Sequence, residues 1–203
     1  MDAIVVGIAV GTTKICTLVP RGEQDDALRI MGVGIEPSEG IRKGVIVDLT
    51  AASQAIARSV VQAEQTSGVK IETAIVSLAG AHVASINSRG VVAVSGHTVE
   101  ESDIERAMDA ARGVAIPNSR EVIHVIQRGF SLDGQDVIHQ PIGMHGYRLE
   151  VEAHVITAAT ATAENLRQAV GAAGVHVAQF VLNPLASAEV VLTETERNMG
   201  AVV

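Results

Sequence analysis

A run of apolar residues from Ala3 to Ile8, stopped at Gly11 and followed at once by Thr12, Thr13 and Lys14, constrains the fold of this chain more than any other stretch. A run of that length with that β-branched content reads as a buried strand. The glycine lets the backbone reverse tightly. The next three residues place two hydroxyls and an ammonium group on the turn, where the oxygens of a phosphate could be met. By residue type alone the same four positions also suit a plain β-hairpin, with glycine for its dihedral and threonines for its strand ends.

Beyond the turn the chain continues as a meander. Ile15 to Pro20 and Leu28 to Glu36 are two further extended runs, joined by the polar link Arg21 to Asp26. After a glycine-punctuated loop, Ser38 to Gly44, and a short run, Val45 to Val47, either Asp48 or Thr50 caps a helix reaching to about Thr66, with Gly68 as its stop. Ala52, Ile56, Val60 and Ala63 recur on it at helical spacing and predict one buried stripe. Glu72 to Leu78 is the next strand, closed by Gly80.

From about Ala81 the character changes. Val83 to Val94 reads as an extended segment broken at Asn87 to Gly90. Ser102 to Glu105 has the form of a capping box opening a helix that ends near Gly113. Two longer strands, Glu121 to Leu132 and Tyr147 to Ala158, flank a turn-rich link containing Asp133-Gly134 and Pro141-Ile142-Gly143. Strand, helix, strand, strand is the order of a small α/β unit with its helix on one sheet face. From Thr162 the first style returns: a helix to about Ala173, a strand from Val175 to Leu182, then Asn183 as cap and Pro184 at the first position of a short helix. Thr193 with Glu196 forms another capping box, and Gly200 to Val203 reads as the opening of a further buried strand, which predicts a fragment of a longer chain.

Composition narrows the function. With 203 residues, 47% of them hydrophobic, the chain can bury a core of one large or two small domains. Its net charge is −8 and its only aromatics are Phe130, Tyr147 and Phe180, so neither a basic footprint nor a stacking surface for nucleic acid is present. The single cysteine, Cys16, reads as a small buried hydrophobe and fits a reducing, cytoplasmic setting. Asp2 ahead of a short β-branched run is not the pattern of a secretory signal, and no apolar stretch is long enough to span a bilayer.

Other residue groups suggest less. His124, His139, His145 and His154 match no zinc spacing. Glu100, Glu101, Asp103 and Glu105 crowd a helix start, where acidic groups complement the helix dipole. Glu150 and Glu152 share a strand face and read as solvated, with pairing to basic groups as the other option. Neither Ser77, Ser95 nor Cys16 sits in a nucleophile motif.

Taken together these stretches resemble the FtsA family of bacterial cell-division proteins, in the actin, Hsp70 and sugar-kinase superfamily. The resemblance rests on Gly7 to Lys14; on Ile30 to Gly34 with Gly40 to Asp48; on His124 to Gln127, Leu132 to Gly134, Pro141 to Met144 and Arg148 to Glu150; and on Asn183 to Ala188 with Leu192 to Arg197. It covers essentially the whole chain. It implies an α/β fold in which a ribonuclease-H/actin-like subdomain (1A), residues 1–82 plus 163–203, is interrupted by a strand-helix-strand-strand, SHS2-like subdomain (1C), residues 83–162.

The resemblance also implies a task. The family binds ATP with magnesium between two lobes, ties FtsZ filaments to the cytoplasmic membrane at the division site, self-associates, and recruits later division proteins through the inserted subdomain. Membrane contact comes through a terminal amphipathic helix that this sequence does not include. Gly11, Thr12, Thr13 and Lys14 take the place of the family's first phosphate loop, while the second such loop and second lobe would come after Val203. This implies a non-enzymatic interaction module. Ala9 stands where that loop carries an aspartate holding metal-bound water, so ATP binding by this chain is expected to be weak or absent. Gln127 stands at a position commonly proline in the family, which predicts altered pairing there. Two alternatives share the superfamily: a PilM-like scaffold of type IV pili, and a truncated sugar-kinase-type phosphotransferase.

Overall fold

The computed structural model describes residues 5–22, 28–113 and 116–202. In chain order its elements are β1 (Val6–Val10), β2 (Lys14–Gly22), β3 (Leu28–Pro37), β4 (Ile41–Arg42), β5 (Val45–Ile46), α1 (Leu49–Ser67), β6 (Thr73–Leu78), β7 (Ala84–Ala93), α2 (Glu101–Arg112), β8 (Arg120–Leu132), β9 (Gln135–Ile138), β10 (Arg148–Ala159), α3 (Thr160–Ala172), β11 (His176–Leu182), α4 (Asn183–Val191) and α5 (Glu194–Met199). Contacts divide the chain into two units, one made of residues 1–82 and 160–203, the other of 83–159.

The first unit is built on a five-stranded sheet in the order β11-β6-β1-β2-β3. β1, β2 and β3 form the antiparallel meander, and β6 and β11 join parallel to β1. Alternation decides which face is filled: Val6, Ile8 and Val10 of β1 and Ala74, Val76 and Leu78 of β6 are buried, as are Val177 and Phe180 of β11. α1 and α3 pack side by side over the sheet. α1 starts where Asp48 Oδ1 accepts from Ala51 N–H at 3.0 Å, and it stops at Gly68, in the left-handed region at φ 72°. Its buried stripe is Ala52, Ala55, Ile56, Ser59, Val60 and Ala63. The stripe carries one polar group, the Ser59 hydroxyl, which donates to Gly34 C=O at 2.9 Å and lies 2.8 Å from Thr17 Oγ1.

In the second unit a four-stranded antiparallel sheet, β7-β10-β8-β9, carries α2 on one face, packed across β7 and β10. Leu149, Val151 and Ala153 of β10 join Phe130, Leu132, Val99, Ala107 and Ala111 in its core. The intervening Glu150, Glu152 and His154 project to the opposite face.

Several local expectations are corrected. β7 runs unbroken through Asn87 to Gly90, because each of those residues pairs in register with β10. α2 begins two residues earlier than the Ser102 box predicts. Its buried Asp103 turns inward, accepts from Glu100 N–H at 3.0 Å and Ser95 N–H at 3.4 Å, and pairs with Arg106. The turn-rich link holds a further strand, β9, paired to β8 across the Asp133-Gly134 turn. Asn183 is the first residue of α4, not its cap; the cap position falls on Leu182. Cys16 is half-buried, on the face of β2 opposite Ile15 and Thr17. Gly200 to Val202 form no strand, Ala201 and Val202 are exposed, and Val203 lies outside the described residues, as do Ala3 and Ile4 of the first expected strand. Gln127 pairs directly with Ala153, and the irregularity falls one residue later, at Arg128.

Candidate functional site

β1, β6 and β11 run parallel, so their carboxyl ends meet at one end of the first unit's sheet, the end at which open α/β sheets bind ligands. A cavity of about 320 Å³ lies there. Val10, Gly11 and Thr12 line it from the end of β1, Ala79, Gly80 and Ala81 from the end of β6, and Asn183 from the end of β11. Lys43 and Gly44 complete it from the turn between β4 and β5.

Backbone geometry makes this a cradle. Lys43 and Gly44 have φ of 47° and 76°, the paired left-handed residues of a two-residue hairpin. A Cβ on Gly44 would lie 1.8 Å from Ala79 C=O, and one on Gly80 would lie 2.7 Å from Lys43 C=O. These two segments therefore touch main chain to main chain. Gly11 acts differently from the sequence reading: its φ is not positive, and what it needs is space, since a Cβ there would lie 2.8 Å from Lys14 C=O. Its N–H is engaged within the hairpin, donating to that carbonyl at 3.0 Å.

Of the four residues singled out in the loop, Gly11 and Thr12 line the cavity, while Thr13 and Lys14 are exposed and do not. The lysine at the cavity is Lys43, and the amide side chain there is that of Asn183; sequence reasoning gave neither this place. For Lys43 the Lys-Gly pair between two short apolar runs was the available signal. The lining offers one ammonium, one hydroxyl, one amide and main-chain groups, a set that suits an anion such as phosphate. It contains no carboxylate, and Ala9, exposed on β1, adds none. Such a set does not suit a magnesium ion, which takes carboxylate oxygens.

The second unit carries two ion pairs on the sheet face away from α2. Arg128 lies 3.7 Å from Glu152, and Arg148 lies 3.0 Å from Glu150. Both glutamates are thus paired rather than simply solvated. His154 Nδ1 lies 2.7 Å from Asn87 Oδ1, and the rings of His97 and His145 lie 4.7 Å and 5.8 Å from that of Tyr147. Burial holds His124 below the ordinary histidine range. The Asp103 carboxyl is held low chiefly by the Glu100 N–H, with Arg106 and the Ser95 N–H adding to it against the cost of burial. Among the described residues no three His, Cys, Asp or Glu side chains gather as a metal site, and no helix is long and apolar enough to cross a membrane.

Known proteins resemble this arrangement. Residues 80–157 match the model of the SHS2 domain inserted in FtsA. The cell division protein FtsA of Borreliella burgdorferi is 43% identical over 201 residues, covering 98% of this chain and 49% of that protein. The one from Pseudomonas aeruginosa is 40% identical over 197 residues, covering 97% of this chain and 47% of that protein. This chain therefore spans about half the length of the curated relatives it matches. Among solved structures, a PilM-PilN type IV pilus biogenesis complex superposes with a TM-score of 0.58 at 15% identity, over 93% of this chain and 50% of that one, a likeness of fold alone. Over nearly its whole length the chain is similar to FtsA cell division proteins, about half of whose length it spans, and its residues 80–157 carry the SHS2 domain found inserted in FtsA.

Proposed function

We propose that this chain works in bacterial cell division as a non-catalytic interaction module. In this reading residues 1–82 with 163–203 serve as an actin-like subdomain 1A forming one wall of a nucleotide cleft, and residues 83–162 serve as the inserted subdomain 1C that docks later division proteins. The whole protein would link FtsZ filaments to the cytoplasmic face of the membrane at the division site. The observation that carries this reading is the main-chain cradle at the carboxyl ends of β1, β6 and β11. Thr12 and Lys43 would meet the phosphate oxygens, with Gly11 keeping the turn tight and Thr13 and Lys14 adding a hydroxyl and a charge at its outer side. Asn183 would hydrogen-bond from the third strand. ATP supplies the phosphates in this scheme. The residues present hold the anion and not its magnesium, so binding by this chain is weak and indifferent to the metal.

Calorimetric titration with ATP, with and without magnesium, tests the cradle. Weak, magnesium-independent binding that is lost in Lys43→Ala supports it; magnesium-dependent binding in the micromolar range overturns it. Placing aspartate at position 9 should make binding magnesium-dependent. Affinity capture separates the partner roles: late division proteins are expected on the isolated chain, and pilus assembly proteins in their place would overturn the cell-division reading.

A further inference from the structure

The second unit packs the chain's one tyrosine against two histidines. Past the end of β7, residues 95–99 run beside the loop that enters β10. Val99 N–H donates to Met144 C=O at 2.9 Å, Gly143 N–H to Val99 C=O at 2.9 Å, and Gly146 N–H to His97 C=O at 3.0 Å. Thr98 pairs directly with His145. Gly96 and His97 follow one another in the left-handed region, at φ 74° and 64°, a conformation in which histidine is found more often than most side chains. The main chain of two separate segments thus brings two imidazoles together. Their ring centres lie 6.0 Å apart, and the ring of Tyr147 lies 4.7 Å from His97 and 5.8 Å from His145.

Both imidazoles are exposed, and among the described residues neither makes a hydrogen bond or an ion pair. His154 is the contrast, since its Nδ1 is taken up at Asn87. The flanking charges do not oppose a cation. Arg106 is bound to Asp103 and Arg148 to Glu150, while the Asp133 carboxylate accepts from the N–H groups of Tyr147 and Arg148 beside the cluster. Two imidazoles with free ring nitrogens suit a late transition-metal dication. At metal–nitrogen distances of about 2.0–2.1 Å, two such rings on one ion stand with their centres about 4.5–6.3 Å apart, over bond angles from about 90° to 180°. The observed separation falls inside that range.

We propose that His97 and His145 chelate a divalent late transition-metal ion, zinc or copper, with water completing its coordination. Rotation about χ2, which is broad for histidine, turns the ring nitrogens onto the ion. Two protein ligands leave the remaining positions open, so the ion exchanges and the fold does not require it. Copper(II) binds more tightly than zinc, following the order of divalent first-row metals, and magnesium, which takes oxygen ligands, does not bind. A bound ion joins residues 95–99 to the loop before β10 in the folded form alone, and so stabilises the second unit. The site needs no nucleotide and stands apart from the reading of the cradle.

The chain has one tyrosine and no tryptophan, so its ultraviolet emission reports Tyr147 and places a probe beside the site. Titration of the whole chain with copper(II) chloride, in a buffer that does not bind metals, is expected to quench that emission at one equivalent with a midpoint in the micromolar range. Zinc in excess should compete with the copper, and magnesium should not. His97→Ala and His145→Ala should each weaken the quenching about tenfold or more, with circular dichroism confirming the fold, because each removes one of the two ligands. His139→Ala and His176→Ala should leave it as it was. Zinc should raise the melting temperature of the native chain and not that of His97→Ala. Emission untouched by copper below the millimolar range, quenching that survives loss of either histidine, or an equal response to magnesium would each overturn the proposal. So would calorimetry in which zinc binds the native chain and the double variant His97→Ala with His145→Ala equally well, which would put the ion elsewhere.

Discussion

Both units seat a helix on a glycine in an outer strand, and they differ in what the helix does next. In the first unit a Cβ on Gly34 would lie 1.8 Å from Ser59 C=O, and one on Gly32 would lie 2.5 Å from Ala63 C=O. In the second, Gly90 stands in the same relation to Ala107. From that common contact α1 extends polar side chains in two directions: Ser59 inward to Thr17 and Gly34, Gln62 and Thr66 outward to the edge of β3. α2 offers alanines to the strand and sends only Arg106 to the end of the edge, at Ala93. Close approach of a helix to a strand therefore does not decide whether a sheet can grow. The side chains one turn along decide it.

Filling the shared contact breaks both units and should have the largest effect. Gly34→Ala and Gly90→Ala each push a helix off main-chain atoms and are expected to cost about 3 kcal/mol. Denaturant melts should show the loss, with hydrogen exchange confined to residues 5–82 and 160–202 for the first and to 83–159 for the second. Equal loss of protection in both units from either change would erase the distinction between them.

Next in size is the buried carboxylate that only the second unit uses. Asp103→Ala strips two N–H groups and Arg106 of their acceptor and should cost about 2 kcal/mol. Its lowered pKa sets the sign of the pH dependence: Asp103 stabilises the fold above its ordinary value of 3.8, and that contribution is lost as pH falls below 3.8 through the folded value. Melts below pH 3.8 should show this acid limb in the native chain and its absence in Asp103→Asn.

In the first unit Ser59→Ala should cost about 1.5 kcal/mol by leaving the buried Thr17 hydroxyl unpaired. The double change Ser59→Ala with Thr17→Val should recover most of that loss. Opening the closed edge sharpens the comparison further. Gln62→Ala with Thr66→Val frees two amides of β3 at about 1 kcal/mol, and should make the chain associate more strongly with rising concentration in sedimentation. The smallest effect belongs to His124. Burial lowers its pKa, so stability should fall as pH drops from its ordinary 6.5 toward the folded value, and His124→Gln should flatten that slope.

Local signals hold where neighbours within one turn of chain supply them. Asp48 and Gly68 bound α1, Thr193 and Glu196 form a reciprocal box, and Asp133-Gly134 turns β8 into β9. They give way where a distant contact outbids the local one. Gly90 has the residue type of a strand break, and it is the seat of α2 in an unbroken strand. Ser102 has the residue type of a cap, and the buried Asp103 draws the helix start two residues back.

The candidate site divides along the same line. Residue order alone set the hairpin Gly11 to Lys14, the absence of a carboxylate at Ala9, and the relation to FtsA, because each depends on consecutive residues. Only the folded sheet brings Lys43, Gly80 and Asn183 to that hairpin, and only it leaves β7 open while α1 closes β3. Caps and alternation act over a few residues of chain. A cradle and a sheet edge exist only once strands far apart in sequence lie side by side, and no short window of sequence contains them.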